Sequence, residues 1–318
     1  MMNQFPLVSV CIPCFNSGKY LQATIDSVLQ QTYKNIEIII VDDGSTDNGK
    51  EILSGVSDPR VYIFYQENKG AAIARNIAFE KSKGDFIKFM DADDLLAENN
   101  ISVQVEKIAG KPLCLASGRW GRFCAEDFSD LKIIEEIVWQ DYNSVDWIID
   151  SLVESGTNMM QPGIFLISRE LVIKAGLWNE QLSLIDDFEF MVRIMINSSA
   201  VLFCEEAILY YRGGIANSLS GQRSQSHMNS AYSAISISTE LILNLRNDKK
   251  SRLACANLWQ RWEYQFYPAY KPLAKKAASM VNSLGGSNIP VGGGRMFVLA
   301  SKIIGWKSAY FIKGLLRS

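Results

Sequence analysis

The chain has 318 residues, of which 48% are hydrophobic and 21% charged, with a formal net charge of −2. This permits a sizeable core and suits one large α/β domain with an appendage. No apolar stretch is long enough to cross a bilayer, and no basic segment with an apolar signal core precedes Leu7–Ile12, so residence in the cytoplasm is expected. The single histidine, His227, excludes Ser-His-Asp triads, two-His zinc sites and paired-His relays. Acid–base work therefore falls to carboxylates. Cys11 and Cys14 match C-x-x-C formally, but Cys11 lies inside a predicted strand and no second pair exists, so the six cysteines read as buried or incidental thiols.

Leu7–Ile12 reads as a buried strand. Asn16 or Ser17 can cap a helix running to about Gln31, with Leu21, Ile25, Val28 and Leu29 on one face. Ile36–Val41 is a near-continuous apolar run, typical of a parallel strand covered on both faces. A helix over about Thr46–Ser54, a strand at Val61–Tyr65, an alanine-rich helix at Ala71–Lys81 and a strand at Phe86–Met90 follow. This β-α alternation predicts a doubly wound α/β domain with its crevice at the strand C-termini. Beyond Leu95 the pattern is mixed. Helices are predicted near 101–108 and 145–153, with short strands at 113–117, 121–124, 163–167, 201–204 and 208–212. Ser168 can cap a helix over 169–175, and 187–196 is a further helix with Phe190, Met191 and Ile194 as core candidates. From about Ser224 onward the chain reads as helical, interrupted by the glycine-rich 285–294 segment.

Two acidic clusters follow strand-like runs: Asp42-Asp43-Gly44-Ser45-Thr46-Asp47 and Asp91-Ala92-Asp93-Asp94. Carboxylates gathered at strand ends repel one another and lose hydration, so a cationic or hydrogen-bonding occupant is expected between them. The simplest is a divalent metal carrying a nucleotide diphosphate. With one histidine available, oxygen ligands favour Mg2+ or Mn2+ over zinc or copper. Asp42 should point into the crevice, whereas Asp43 and Asp47 also suit turn and helix-start chemistry; Asp47 is read as a cap. Asp91 and Asp93 alternate on what reads as an extended segment and so project to the same side, with Asp94 as a supporting or capping residue. Asp186-Asp187 opens an amphipathic helix, where acids favour the dipole. Arg75 can face the nucleotide or the second acidic cluster, or form an ordinary surface ion pair.

In sequence order, Ser9–Asn16, Leu29–Thr32, Ile40–Asp47, Gly70–Asn76, Asp91–Asp94, Gly176–Glu180 and Asp186–Phe190 resemble a family 2 glycosyltransferase with the GT-A fold, over roughly residues 7–212. The resemblance implies inverting transfer of a sugar from a nucleotide-sugar, commonly with uridine diphosphate leaving. It also implies a Rossmann-like, mostly parallel central sheet flanked by helices, here with a helical C-terminal extension. Pro13, Phe15 and Asn16 would flank the base, Asp42 would accept the uracil imide N–H, and Arg75 and Ala92 would belong to the donor site. Asp93 would bind the metal, and Asp91 the ribose or a water on the metal. Asp187 would be the general base, while Asp186, Trp178 and Arg212 would contact the acceptor or support the site. The Q-x-x-R-W motif of processive synthases is missing from 213–240, which favours transfer of one sugar. Tyr211-Arg212 lacks the following His of many relatives, so Arg212 or Ser218 is expected at phosphate instead. The expected setting is synthesis of a cell-surface polysaccharide, with a glycan or lipid-linked acceptor. The alternatives are a non-catalytic nucleotide-sugar-binding scaffold on the same fold and a nucleotidyltransferase, although Asn16–Lys19 is too sparse for the phosphate loop of the latter.

Residues 1–222 are read as the glycosyltransferase domain and 223–318 as a helical region with a basic tail. From Lys271 onward there are eight Lys and Arg and no Asp or Glu. On one helical wheel, Arg295, Lys302, Lys313 and Arg317 oppose Phe297, Ile304, Phe311 and Leu315. Such a helix suits the inner face of an anionic membrane, or docking on the protein's own core or on a second subunit.

Overall fold

The structure, a computed structural model, describes residues 6–111, 113–215 and 221–315. Its first half is built from β1 (Val8–Cys14), α1 (Gly18–Leu29), β2 (Ile36–Asp42), α2 (Gly49–Gly55), β3 (Val61–Tyr65), α3 (Ala71–Lys81) and β4 (Phe86–Phe89). These four strands are parallel and lie side by side in the order β3-β2-β1-β4. Every residue of β2 is buried, as its continuous apolar run requires of a strand covered on both faces. The mid-strand Glu37 is buried too, and its carboxylate accepts hydrogen bonds from Ser9 Oγ and the Lys83 N–H.

The second half adds β5 (Leu95–Leu96), α4 (Asn100–Ile108), β6 (Cys114–Phe123), β7 (Lys132–Ile133), β8 (Tyr142–Asn143) and α5 (Ser144–Ser155). A 3-10 turn (Pro162–Ile164), β9 (Leu166–Ser168), α6 (Arg169–Ala175), α7 (Asp186–Asn197) and β10 (Ala200–Arg212) follow. The sheet continues β4-β9-β6-β10-β5, with β9 antiparallel to both its neighbours and β6 parallel to β10. The two short strands expected at 113–124 form one strand, β6, and those at 201–212 form one strand, β10. A register shift between Cys204 and Ile208 breaks the hydrophobic alternation of β10 without ending it. Ser168 caps α6 as expected, its Oγ accepting from the Leu171 N–H at 3.2 Å. The cap of α1 differs from expectation. Neither Asn16 nor Ser17 supplies it; Asp47 Oδ2 accepts from Gly18 N–H at 2.8 Å, while its Oδ1 accepts from Gly49 N–H at the start of α2.

The rest is helical: α8 (Gln225–Leu245), α9 (Lys249–Phe266), α10 (Lys271–Ser283), α11 (Arg295–Ile304) and α12 (Trp306–Leu315). The chain divides into two compact units, one of residues up to 151 with 159–247, the other of 152–158 with 248 onward. In the first, α8 packs on α7, and Ser230 Oγ accepts from the N–H groups of Ser183 and Leu184. In the second, α9 and α10 pack together, Asn257 Nδ2 donates to the Val153 carbonyl, and Lys307 pairs with the buried Glu263 at 2.6 Å. Among the described residues no helix is long and apolar enough to cross a membrane.

Gly118 of β6 lies against the β10 irregularity, where an added Cβ would collide with the Ala207 carbonyl. That atom is backbone and cannot swing aside, so Gly118→Ala should cost about 1–3 kcal/mol of stability. Urea unfolding monitors this, with a lowered midpoint at constant slope expected and an unchanged midpoint contradicting the close approach.

Candidate active site

The site is assembled at the C-terminal edge of the parallel strands. β1 pairs with β4 only as far as Cys11, while its pairing with β2 continues to Cys14. At Pro13 one side of β1 therefore has no ladder partner, which is where a residue lacking an N–H is tolerated. The gap between the two strand ends is the crevice of a doubly wound sheet. Asn16, just beyond, has a φ of 50°. Asparagine tolerates this left-handed conformation, and its Oδ1 accepts from Thr46 N–H at 2.8 Å, joining the β1 loop to the β2 loop. Phe15 remains 48% exposed at this edge.

The acids of the first cluster have separate partners. Asp43 accepts from the N–H groups of Lys69 and Gly70 and so anchors the start of α3. Asp42 is fully buried. Its Oδ1 accepts from Ser45 N–H at 3.1 Å, but among the described residues its Oδ2 has no hydrogen-bond partner. A buried carboxylate oxygen left in this state is costly unless a donor arrives.

The second cluster is a turn and not the extended segment expected. The Asp94 N–H reaches back to the Asp91 carbonyl, and Thr24 Oγ1 holds the turn through the carbonyls of Ala92 and Asp94. The turn brings one oxygen each of Asp91, Asp93 and Asp94 within 4.8 Å of one another. Asp94 is structural: its Oδ1 accepts from Arg212 N–H and its Oδ2 from Gln161 Nε2 at 2.7 Å. Asp91 accepts from Arg75 at 2.8 Å. Among the described residues no other residue donates a hydrogen bond to the Asp93 carboxylate. Burial, and then the charge of Asp91, push Asp93 up to about 7. A carboxylate with no donor from another described residue, beside a second carboxylate and with oxygen ligands only, fits a hard divalent cation.

Arg75 joins this turn to the third acidic element. Its guanidinium donates to Asp91 Oδ1 at 2.8 Å and to Asp186 Oδ2 at 3.0 Å, and it lies 4.4 Å above the Trp178 ring. Burial alone would weaken the Arg75 charge, but Asp91 and Asp186 more than offset this and its pKa is raised. Beneath it, Trp178 stacks on Phe190 at 4.1 Å, and Phe89 meets both rings edge-on. Asn76, next on α3, clamps the same segment by donating to the Trp178 carbonyl and Glu180 while accepting from the Trp178 N–H. The acidic pair then follows Ile185, which has a φ of 53°. For a β-branched residue this conformation costs roughly 1–2 kcal/mol. Asp187 is only partly exposed, and burial followed by the charge of Asp186 raises it to about 7.

Three residues were expected to contact the acceptor or to support the site. Asp186 and Trp178 are buried under Arg75, and Arg212 is buried between the Tyr20 and Phe123 rings, donating from Nε to the Asp93 carbonyl. Ser218 lies outside the described residues. Gln161 and Lys88 were not anticipated. Lys88 is fully buried in β4, donates from Nζ to the carbonyls of Gly163 and Phe165, and is lowered by burial to about 7. It braces the turn that follows Gln161. A lysine inside an apolar strand was a visible signal; Gln161 stands in no motif.

The profile of the family described as "Glycosyl transferase family 2" matches residues 9–171. A sheet of this topology with this carboxylate edge is the GT-A fold, and the chain belongs to glycosyltransferase family 2. Among its relatives, the glycosyltransferase GlyG of Streptococcus pneumoniae serotype 4 is 34% identical over 215 residues, covering 65% of this chain and 70% of its own. The putative teichuronic acid biosynthesis glycosyltransferase TuaG of Bacillus subtilis is 42% identical over 109 residues, 33% of this chain and 43% of its own. This chain thus spans less than half of TuaG. The crystal structure of S. aureus TarS 1-349 in complex with UDP-GlcNAc shares the fold, with a TM-score of 0.71 at 16% identity, over 97% of this chain and 92% of that one.

In the metal-free protein Asp93 and Asp187 bind protons at a pH where an unfolded aspartate, near 3.8, has released them. The stability this gives is complete below about pH 4 and lost as pH rises through about 7. The urea midpoint should therefore fall between about pH 5 and about pH 7, less steeply in Asp93→Asn. A midpoint that rises over that interval, or an Asp93→Asn slope equal to wild type, contradicts the assignment.

Proposed function

We propose that this glycosyltransferase moves one sugar, with inversion, from a nucleoside-diphosphate sugar to a hydroxyl of a glycan or lipid-linked acceptor in cell-surface polysaccharide synthesis. The preferred donor is a UDP-sugar. The observation that carries this reading is the single guanidinium of Arg75 bound to both Asp91 and Asp186, which holds the donor-side turn and the acid pair in one place. Two similar proteins support it, TarS by its complex with UDP-GlcNAc and TuaG by its description as a putative teichuronic acid biosynthesis glycosyltransferase.

In this reading residues 1–222 carry the reaction. Phe15 offers its exposed ring to the base, Pro13 and Asn16 shape that end of the crevice, and the free oxygen of Asp42 accepts the uracil imide N–H. Asp91 and the Ala92 backbone meet the ribose. Asp93, with Asp91, would hold Mn2+ or Mg2+, which when bound offsets the charge of the departing diphosphate. Asp187 takes the proton from the acceptor hydroxyl. The acceptor oxygen bonds to the anomeric carbon from the face opposite the donor phosphate, and the bond from that carbon to the diphosphate oxygen breaks with its electron pair. A base whose pKa is about 7 suits proton removal near neutrality. Asp186, Trp178 and Arg75 position it.

Asp187→Asn should leave UDP affinity near wild type and lower kcat by ~10²–10⁴-fold. Asp93→Ala should remove the gain in UDP affinity that Mn2+ gives the wild type. Calorimetry with and without chelator, together with turnover, separates the two roles. Near-normal turnover of Asp187→Asn moves the base elsewhere, and wild-type UDP affinity unaltered by chelator removes the metal.

A further inference from the structure

The last helices present an inverted surface. α11 buries no residue, and Met296, Leu299 and Ile303 are 85%, 59% and 75% exposed. Their i, i+3, i+7 spacing sets them on one side of the helix, the side that a helix facing water makes polar. Arg295 and Lys302 flank this row, and together with Gly293, Val298 and Leu299 they line an open cleft of about 320 Å³. Phe297, Val298 and Ser301, on the other side, are half-buried. The single wheel expected through Arg317 does not hold, because Gly305, with a φ of 79°, ends α11 and α12 starts in a new direction. The most exposed apolar row of α11 is therefore Met296, Leu299 and Ile303; Ile304 is exposed beside it, and Phe297 is half-buried. The side chains of Lys313, Leu315 and Arg317 lie outside those described.

We propose that this outward face of α11 docks on the surface of an anionic lipid bilayer. Met296, Leu299 and Ile303 enter between the headgroups, while Arg295 and Lys302 extend their charged ends to lipid phosphates across the mouth of the cleft. Charge identifies the occupant. The segment from Lys271 onward has eight cationic residues and no acid, in a chain whose formal net charge is −2. An anionic leaflet attracts that segment. A second copy of the same face would bring its own Arg295 and Lys302 against this pair, so self-association is opposed where a bilayer is favoured. None of these residues takes part in the reaction proposed above.

Flotation of the full chain with vesicles tests the proposal. Binding to phosphatidylcholine vesicles containing about 30% phosphatidylglycerol should exceed binding to pure phosphatidylcholine by about tenfold or more, and should weaken in about 0.5 M salt. A Met296→Ser, Leu299→Ser, Ile303→Ser variant and an Arg295→Gln, Lys302→Gln variant should each bind about tenfold less than wild type. Because these side chains are exposed, circular dichroism and the urea midpoint should not change. Absence of binding, equal binding to both vesicle types, or wild-type binding by both variants overturns the proposal. So does a dimer in solution that the serine variant dissociates.

Discussion

One buried guanidinium holds the candidate site together. Arg75 is taken out of water with Asp186, a loss of hydration that only close pairing can offset. Removing one partner from such a pair costs on the order of 3–5 kcal/mol, because the other charge is then stranded. The planar fork of arginine suits the place, since it donates to two carboxylates from different segments while its face rests on an indole. Lysine, a point charge, could not do all three. The aromatic group below ties the same segments from the apolar side. Phe89 ends the strand before Asp91, Phe190 lies one turn into the helix that Asp186 opens, and Trp178 fills the space between.

The placement of these segments has a chemical consequence. Four carboxylates, Asp93, Asp94, Asp186 and Asp187, have raised pKa values, each chiefly through burial. Arg75 carries too little positive charge to satisfy all of them. Arg212 also lies near Asp93 and Asp94, yet burial prevails, so a positive ion bound there would relieve the remaining repulsion. The left-handed Ile185 adds to this stored cost, directly before Asp186. Ser230 of α8 holds the loop that precedes it, so part of the support for the acid pair comes from beyond the sheet.

Much of this was legible in the residues. The central strand β2 declares itself as a near-continuous apolar run because both its faces are covered, and Val61–Tyr65 and Arg169–Ala175 end where capping and periodicity placed them. The family resemblance and the GT-A fold held for the same reason, since they rest on the order of short motifs at strand ends. What was not legible depends on contacts between distant segments. Asp47 caps a helix some thirty residues upstream, which no local cap rule can anticipate. The Asp91–Asp94 turn is set by Thr24 and Gln161, so its carboxylates converge by curvature and not by strand alternation. β10 read as two pieces because its irregular stretch resembles a loop in one dimension. Nor does sequence say whether an aromatic or charged side chain lines a cavity or braces it, as with Trp178 under Arg75 and Arg212 against Phe123.

The central claim is that Asp93 and Asp187 face one reaction centre, with a cation on one side and an acceptor hydroxyl on the other. Anomalous diffraction from crystals grown with Mn2+ and UDP tests it directly. The account expects one manganese peak at the carboxylates of Asp91 and Asp93, against the UDP phosphates, with Asp187 facing the same cavity. UDP bound with no manganese at Asp93, or with Asp187 opening onto a different surface, would contradict it.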